Sequence, residues 1–465
     1  MANVSSDARG QWGSTFGFVM AAAGSAVGLG NIWRFPYLTG QNGGGAFVFV
    51  YVLCVVLIGM PLLFNEIALG RKTGQSPVGA FQINKTGKFW LIAPILSILI
   101  SFVVLSYYSV IAGWTIGYIY TSITSTTVVF SEFIATPEYV IPLTAFFLVA
   151  TVLIVLGGIA GGIEKAAKIL MPMLLGILVL IIIRSVTLPG ATEGIVYFLK
   201  PDFSKIDSFV ILAALGQAFF SMSVGWGIMV TYGSYFPKTN NIVTSSLWVG
   251  SMDSIVALMG GLMVFPAVFA FGKSPSAGPT LVFQVLPEVF TMMPGGTIVG
   301  ALFFLLLCIA ALTSSISMLE VPVSYFIDNK KWNRKKAAVI VAVAALALSI
   351  PAALSNGGSK LFTEMSINFM GSTKTGFLDI MDFFFGTLSI VIVCLMMAVY
   401  TGWIIKPKQI ADEIAVGSEG FTKKTALGFS FYQLWIFFIK YICPIIMLLV
   451  LLNMLGVFGT PGQGH

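Results

Sequence analysis

Charge is what this chain has least of. Asp, Glu, Lys and Arg make up 9% of its 465 residues and hydrophobic residues 57%, where a soluble domain carries roughly 25% charge. So few polar side chains cannot cover a globular surface, so the surface must meet lipid. Cysteine and histidine are equally scarce. Cys54, Cys308, Cys394 and Cys443 each stand alone inside an apolar run, in no CxxC and no zinc-ligand spacing. The lone histidine, His465, ends the chain behind the Gly-rich Pro461–Gly464. A disulfide framework, a zinc centre and a histidine acid–base site therefore lack the residues to build them. With no nucleophile motif either, an enzyme is not expected.

Long apolar runs are what the chain has instead. They recur from end to end and predict an all-α polytopic membrane protein, one transmembrane domain over residues 1–460. Eleven spans are expected, near 14–38, 46–70, 88–122, 140–158, 166–186, 208–236, 242–271, 297–327, 336–354, 379–404 and 430–456. The run Phe16–Ala23 leads into glycine and asparagine rather than a cleavage site, so it reads as a first span and not a signal peptide. With the N-terminus inside, 17 of the 25 Lys and Arg fall on the inner side and 6 on the outer. Arg34 and Lys440 lie within spans. This bias sets the orientation, N-terminus cytoplasmic and C-terminus outside. It also accounts for the net charge of +7 without a nucleic-acid partner.

Two spans are interrupted. The first contains Gly24-Ser-Ala-Val-Gly28-Leu-Gly30-Asn31 and the sixth Ser221-Met-Ser-Val-Gly225-Trp-Gly227, both too rich in glycine for a stable mid-membrane helix. They hold matching places in two sets of five spans, 1–5 at about 14–186 and 6–10 at about 208–404, with the eleventh at about 430–456. Glycine alone would also permit close helix packing, but paired breaks in two halves point to a midplane binding site. An unwound segment exposes backbone groups that must find partners. Its N–H groups attract carboxylates, and its carbonyls, with hydroxyls, suit hard cations such as sodium. Asn31, Ser221, Ser223 and Thr313-Ser314-Ser315 are placed to contribute. Ionisable residues inside spans are costly and mark function: Arg34, Glu66, Asp253 and Asp382 are the candidates. Glu66 is equally well read as a carboxylate held by helix-end N–H groups.

Several of these stretches carry a resemblance. Gln11-Trp12, Asn31-Ile-Trp-Arg-Phe-Pro-Tyr37, Asn42-Gly-Gly-Gly-Ala-Phe47, Pro61-Leu-Leu-Phe-Asn-Glu66, Gly216-Gln-Ala-Phe-Phe220 and Leu312-Thr-Ser-Ser315 are similar to the signature of the neurotransmitter:sodium symporter family. The match runs in order from about residue 11 to 455. It implies the leucine-transporter-type fold, with spans 1–5 and 6–10 as inverted repeats, and an eleven-span chain looks like the bacterial branch. Implied partners are an amino acid, Na⁺ and the lipid bilayer, with no obligate protein partner evident. The implied location is the bacterial cytoplasmic (inner) membrane.

The resemblance also implies residue roles and two sodium ions. The first ion would be held by Ala26, Asn31, Ser221, Asp253 and the substrate carboxylate, the second by Gly24, Val27, Ala310, Thr313 and Ser314. The substrate carboxylate would meet the N–H groups of Leu29 and Gly30 and the Tyr108 hydroxyl. Its ammonium would meet carbonyls of Ala26, Phe220 and Ser221 and the Ser223 hydroxyl. Val104, Tyr108, Phe220, Trp226, Ser314 and Met318 would line the side-chain pocket. Arg34 with Asp382 would gate the outside, and Arg9 with Asp328 the inside.

Three departures refine the substrate. Monoamine carriers have an aspartate where Gly28 stands, so an amino acid with its own carboxylate is expected. Trp226 takes pocket volume and favours a glycine- or alanine-like substrate; a shifted backbone that admits a larger apolar one is the alternative. Chloride-dependent members place Tyr, Gln and two Ser around the anion. Tyr51, Gln217 and Ser221 match, Ala257 aligns with the last serine, and Asp253 lies one turn earlier, so a fixed carboxylate should make chloride unnecessary. An amino-acid-gated channel or sensor on the same scaffold is the runner-up, but spans 4, 5, 9 and 11 offer almost no polar lining.

Overall fold

The computed structural model describes residues 10–84, 87–126, 128–276, 278, 280–370, 372–425 and 428–457. Arg9 and His465 lie outside the described residues. Among those described, nine helices are long and apolar enough to cross a membrane: Gly45–Thr73, Lys88–Thr124, Pro137–Leu156, Ile159–Val186, Ile242–Ala270, Gly296–Lys330, Arg334–Leu354, Phe377–Ile404 and Phe431–Met454. A tenth span is a pair, Thr15–Ala26 and Gly30–Gln41, bent by 48°. The expected sixth span is split into Ser208–Ser221 and Ile228–Ser234, each too short to cross alone. The first and sixth spans are therefore the broken ones. The fifth begins earlier than its hydropathy indicates. Gly157 closes the fourth helix, and Gly158, at φ +75°, turns the chain back in a conformation that a side chain would resist.

Burial separates inner from outer helices. The most apolar stretch of the seventh span is 61% buried and those of the second and eighth 56%, against 33% for the fourth and 28% for the eleventh. Peripheral helices present Phe146, Leu153 and Val343 outward, where lipid rather than water must cover them. At the centre, the third and eighth spans run along each other, and the inner half of the first packs on the fifth, seventh and eighth. Both halves of the sixth span rest on the second, so the second span is the fixed wall behind the break. Arg71 at the end of the second span is buried against Glu413, Nε to Oε1 2.8 Å, and donates to the Asn240 carbonyl at 2.7 Å. This ties the second span to the short helix Pro407–Ala415.

One short element among the described residues is not helical. The loop before the tenth span folds into an antiparallel hairpin, Ser366–Phe369 with Ser372–Thr375, Ser366 facing Thr375 and Phe369 facing Ser372. The loop between the seventh and eighth spans carries its own helical stretch, Leu281–Met292.

Candidate functional site

The breaks of the first and sixth spans face each other across a small cavity. The first inner half-helix starts at the Ser14 N-cap, which accepts from the Gly17 N–H, and stops at Ala26. Gly30–Arg34 then follows as a single π-helical turn, a geometry that often marks functional sites. In the sixth span, Met222–Gly227 is non-helical, with positive φ at Ser223 (54°), Gly225 (84°) and Gly227 (73°). Glu66 of the second span reaches into this break, its Oε1 accepting from the Gly225 N–H at 2.6 Å. Glu66 thus meets one backbone N–H inside the break rather than a helix end, and its Oε2 is buried without a partner.

The cavity wall includes Ala26, Gly28 and Gly30 from the first break, Tyr108 from the third span and Phe220, Ser223 and Trp226 from the sixth. Ser314 and Met318 of the eighth span complete it, together with Ser25. Only about 20 Å³ is open to the centre of a water molecule, little more than one water requires. Trp226 is fully buried and meets Phe220 edge to face at 5.4 Å between ring centres. Gly28 is the close-approach point. A Cβ there would lie 2.5 Å from Ser314 Oγ and 2.9 Å from the Tyr108 hydroxyl, well inside contact distance. The Leu29 N–H donates to that same hydroxyl at 3.1 Å.

Not every expected residue reaches the wall. Val104 is buried but not among those lining the cavity, and Leu29 meets the site through its N–H. The Ser221 side chain turns away to Asp253, donating to Oδ1 at 2.6 Å. Asn31 Nδ2 donates to the same oxygen at 2.7 Å, and the Tyr51 hydroxyl donates to Oδ2 at 3.3 Å. Asp253 is fully buried, so three donors offset the cost of keeping its carboxylate from water. Its oxygens thus sit directly with Tyr51 and Ser221; the buried Ala257 supplies no polar group. Gln217 donates to the Gly30 carbonyl at 2.8 Å.

Of the group expected for the second ion, Gly24 lies against Thr313 of the eighth span. A Cβ on Gly24 would lie 3.3 Å from Thr313 Cβ. Thr313 Oγ1 donates to the Ala310 carbonyl at 3.0 Å, and Ser314 Oγ to Ser25 O at 3.1 Å. Val27 ends the inner half-helix, its N–H on the Ala23 carbonyl. Oxygens of this kind, carbonyl and hydroxyl, suit a hard cation.

The outer pair is apart here. Arg34 lies over the Phe220 ring, 4.4 Å from its centre, and Asp382 accepts from the Tyr107 hydroxyl at 2.9 Å. At the inner end, Asp328 accepts from the Ser76 N–H at 2.7 Å; its expected partner Arg9 is not among the described residues. A second inner cluster was not read from the sequence. Arg334 grips Glu320 with two contacts of 2.6 and 2.9 Å, and Tyr235 donates to Glu320 at 2.7 Å. Ser25 and Ser317 were missed as well. Ser317 falls one helical turn after Ser314, a spacing that places both on one face and could have flagged it.

The fold and this site define a class, and comparison with known proteins agrees. The model of the sodium:neurotransmitter symporter family matches residues 9–140 and 129–463. A sodium-dependent transporter of Bacillus subtilis, YhdH, is 37% identical, with 96% of this chain and 98% of that protein aligned. A Haemophilus influenzae sodium-dependent transporter is 36% identical over the same shares. The crystal structure of MhsT in complex with L-phenylalanine superposes with a TM-score of 0.86 at 40% identity, covering 96% of this chain and all of that one. The chain belongs to the sodium:neurotransmitter symporter family and has the leucine-transporter-type fold.

Proposed function

We propose that this protein carries a small neutral amino acid, of glycine or alanine type, into the cell on an inward sodium gradient, without chloride, by alternating access. The observation behind this reading is the cavity between the two breaks, where unwound backbone, Tyr108 and Ser223 meet around Gly28. The carboxylate would take the N–H groups of Leu29 and Gly30 and the Tyr108 hydroxyl, and the ammonium the nearby carbonyls and Ser223. One sodium ion would join Ala26, Asn31, Ser221 and Asp253 to that carboxylate. A second would sit among Gly24, Val27, Ala310, Thr313 and Ser314. Arg34 with Asp382, and Arg9 with Asp328, would close the two vestibules in turn. The Asp253 carboxylate beside Tyr51 and Ser221 would supply the fixed negative charge that a chloride otherwise provides. The charge bias supports a cytoplasmic N-terminus in a bacterial inner membrane.

The buried Trp226 indole and the narrow cavity favour a small side chain. One observation favours a larger apolar substrate: the structurally similar MhsT is bound to L-phenylalanine. A competition screen of the twenty standard amino acids on purified protein, with and without sodium, separates the two. Glycine and alanine leading in sodium would support the small reading, and phenylalanine or leucine leading would replace it. If no amino acid binds in a sodium-dependent way, the proposal fails.

A further inference from the structure

Three serines from three different spans are linked behind the cavity. Ser25 lies in the last turn of the first half-helix, Ser223 stands in the sixth-span break, and Ser317 lies on the eighth span; all three are buried. Ser317 Oγ donates to the Ser314 carbonyl at 2.7 Å. Ser25 Oγ lies 2.6 Å from Ser317 Oγ and 3.3 Å from Ser223 Oγ. Ser223 Oγ donates to the Ser25 carbonyl at 3.1 Å.

Each hydroxyl has one hydrogen and two lone pairs. The three shortest contacts can be made together in one order only. Ser317 gives its hydrogen to the Ser314 carbonyl, so the 2.6 Å contact must be Ser25 donating to Ser317. Ser25 then has no hydrogen left for Ser223, and the Ser223 hydrogen goes to the Ser25 carbonyl. The Ser223 oxygen on the cavity wall is left with both lone pairs open, an acceptor only.

We propose that Ser317 and Ser25 form a hydroxyl relay that sets Ser223 as a dedicated acceptor for the substrate's ammonium group. Ser317 is a positioning residue: it is not among the residues lining the cavity and acts through Ser25. This deepens, and rests on, the amino-acid reading above. The relay makes an unusual demand on mutants. Ser317→Ala removes the acceptor for the Ser25 hydrogen, which can then turn to Ser223 Oγ, 3.3 Å away, and compete with the ammonium for one of its two lone pairs. Ser25→Ala removes that hydrogen altogether, yet leaves the Ser25 carbonyl to hold the Ser223 hydrogen. The residue farther from the substrate should therefore matter more, and deleting Ser25 should repair the loss.

The test measures sodium-dependent binding of the amino acid that ranks first in the twenty-member screen to four purified proteins. Hydrogen bonds to a charged group set the scale, so Ser317→Ala should bind about tenfold more weakly than wild type. Ser25→Ala should bind more tightly than Ser317→Ala, and the double variant should match Ser25→Ala rather than Ser317→Ala. Ser317→Cys keeps a weak acceptor at similar volume; it should lie between wild type and Ser317→Ala, and it replaces Ser317→Ala if that variant is not monodisperse. Unchanged binding by Ser317→Ala, or a double variant weaker than Ser317→Ala, overturns the relay. A wild type that binds no amino acid in sodium overturns the transport reading as well, so the two failures are told apart.

Discussion

Replacing Gly28 with alanine should cripple the site without unfolding the protein. The added Cβ would stand 2.5 Å from Ser314 Oγ and 2.9 Å from the Tyr108 hydroxyl, roughly 0.9 and 0.5 Å inside ordinary van der Waals contact. Ser314 Oγ is a short branch that can escape only by changing rotamer, and it would then leave the Ser25 carbonyl at 3.1 Å and the Ala310 carbonyl at 3.3 Å. Overpacking of this kind costs about 1–3 kcal/mol, a modest share of a fold's total. The loss should be concentrated in the bound state, because Ser314 cannot both avoid the methyl group and fill its proposed role as a sodium ligand. Tyr108 meanwhile must retreat from the carboxylate. If about 2 kcal/mol of strain falls on the bound form, amino-acid affinity drops about 30-fold. Equilibrium binding of a labelled amino acid over a sodium titration reads both quantities. The account expects weaker amino-acid affinity, a higher half-saturating sodium concentration and nearly unchanged thermal stability. Wild-type affinities for both ligands in Gly28→Ala would refute the arrangement of Ser314 and Tyr108 around the substrate.

Further substitutions probe separate parts. Thr313→Ala with Ser314→Ala removes the two side-chain hydroxyls of the proposed second sodium site at a folding cost of about 1 kcal/mol each; concentrative uptake should vanish while the protein still inserts, and normal accumulation would void the assignment. Trp226→Phe should favour leucine or methionine over glycine or alanine by about 10–200-fold, a change visible in competition assays; an unchanged ranking would end the volume argument. Asp253→Asn keeps an oxygen beside Asn31 and Ser221 but removes the charge, so uptake should weaken and become chloride-stimulated. Wild-type uptake should be equal in gluconate and in chloride.

The interrupted spans were legible because clustered glycine destabilises a helix in the middle of an apolar run. Gly24 to Gly30 and Gly225 to Gly227 both mark true breaks, and the second, third, seventh and tenth spans form helices within a few residues of their expected limits. What remained hidden depends on register between distant segments. Nothing local to Asp253 says that Asn31, Ser221 and Tyr51 will donate to it, because those contacts arise from how the first, second, sixth and seventh spans are packed. The Ser25–Ser317 contact joins residues 292 positions apart and leaves no periodic trace. The hairpin around Ser366–Thr375 was missed for the opposite reason: short polar strands differ little from loop in composition. The early start of the fifth span at Ile159 was obscured by Gly161 and Gly162 and above all by the charged Glu164 and Lys165, which lower hydropathy while the backbone remains helical.

The central claim is that a sodium gradient drives amino-acid accumulation through the cavity between the broken spans. Purified protein in sealed proteoliposomes, with potassium inside and sodium outside, tests it in one measurement, with the top-ranked amino acid of the screen as labelled substrate. The account predicts a transient overshoot of uptake above equilibrium that is abolished when external sodium is replaced by potassium or when the gradient is collapsed, and that persists in chloride-free gluconate. Uptake that merely equilibrates, with the same course in the presence and absence of a sodium gradient, would contradict it.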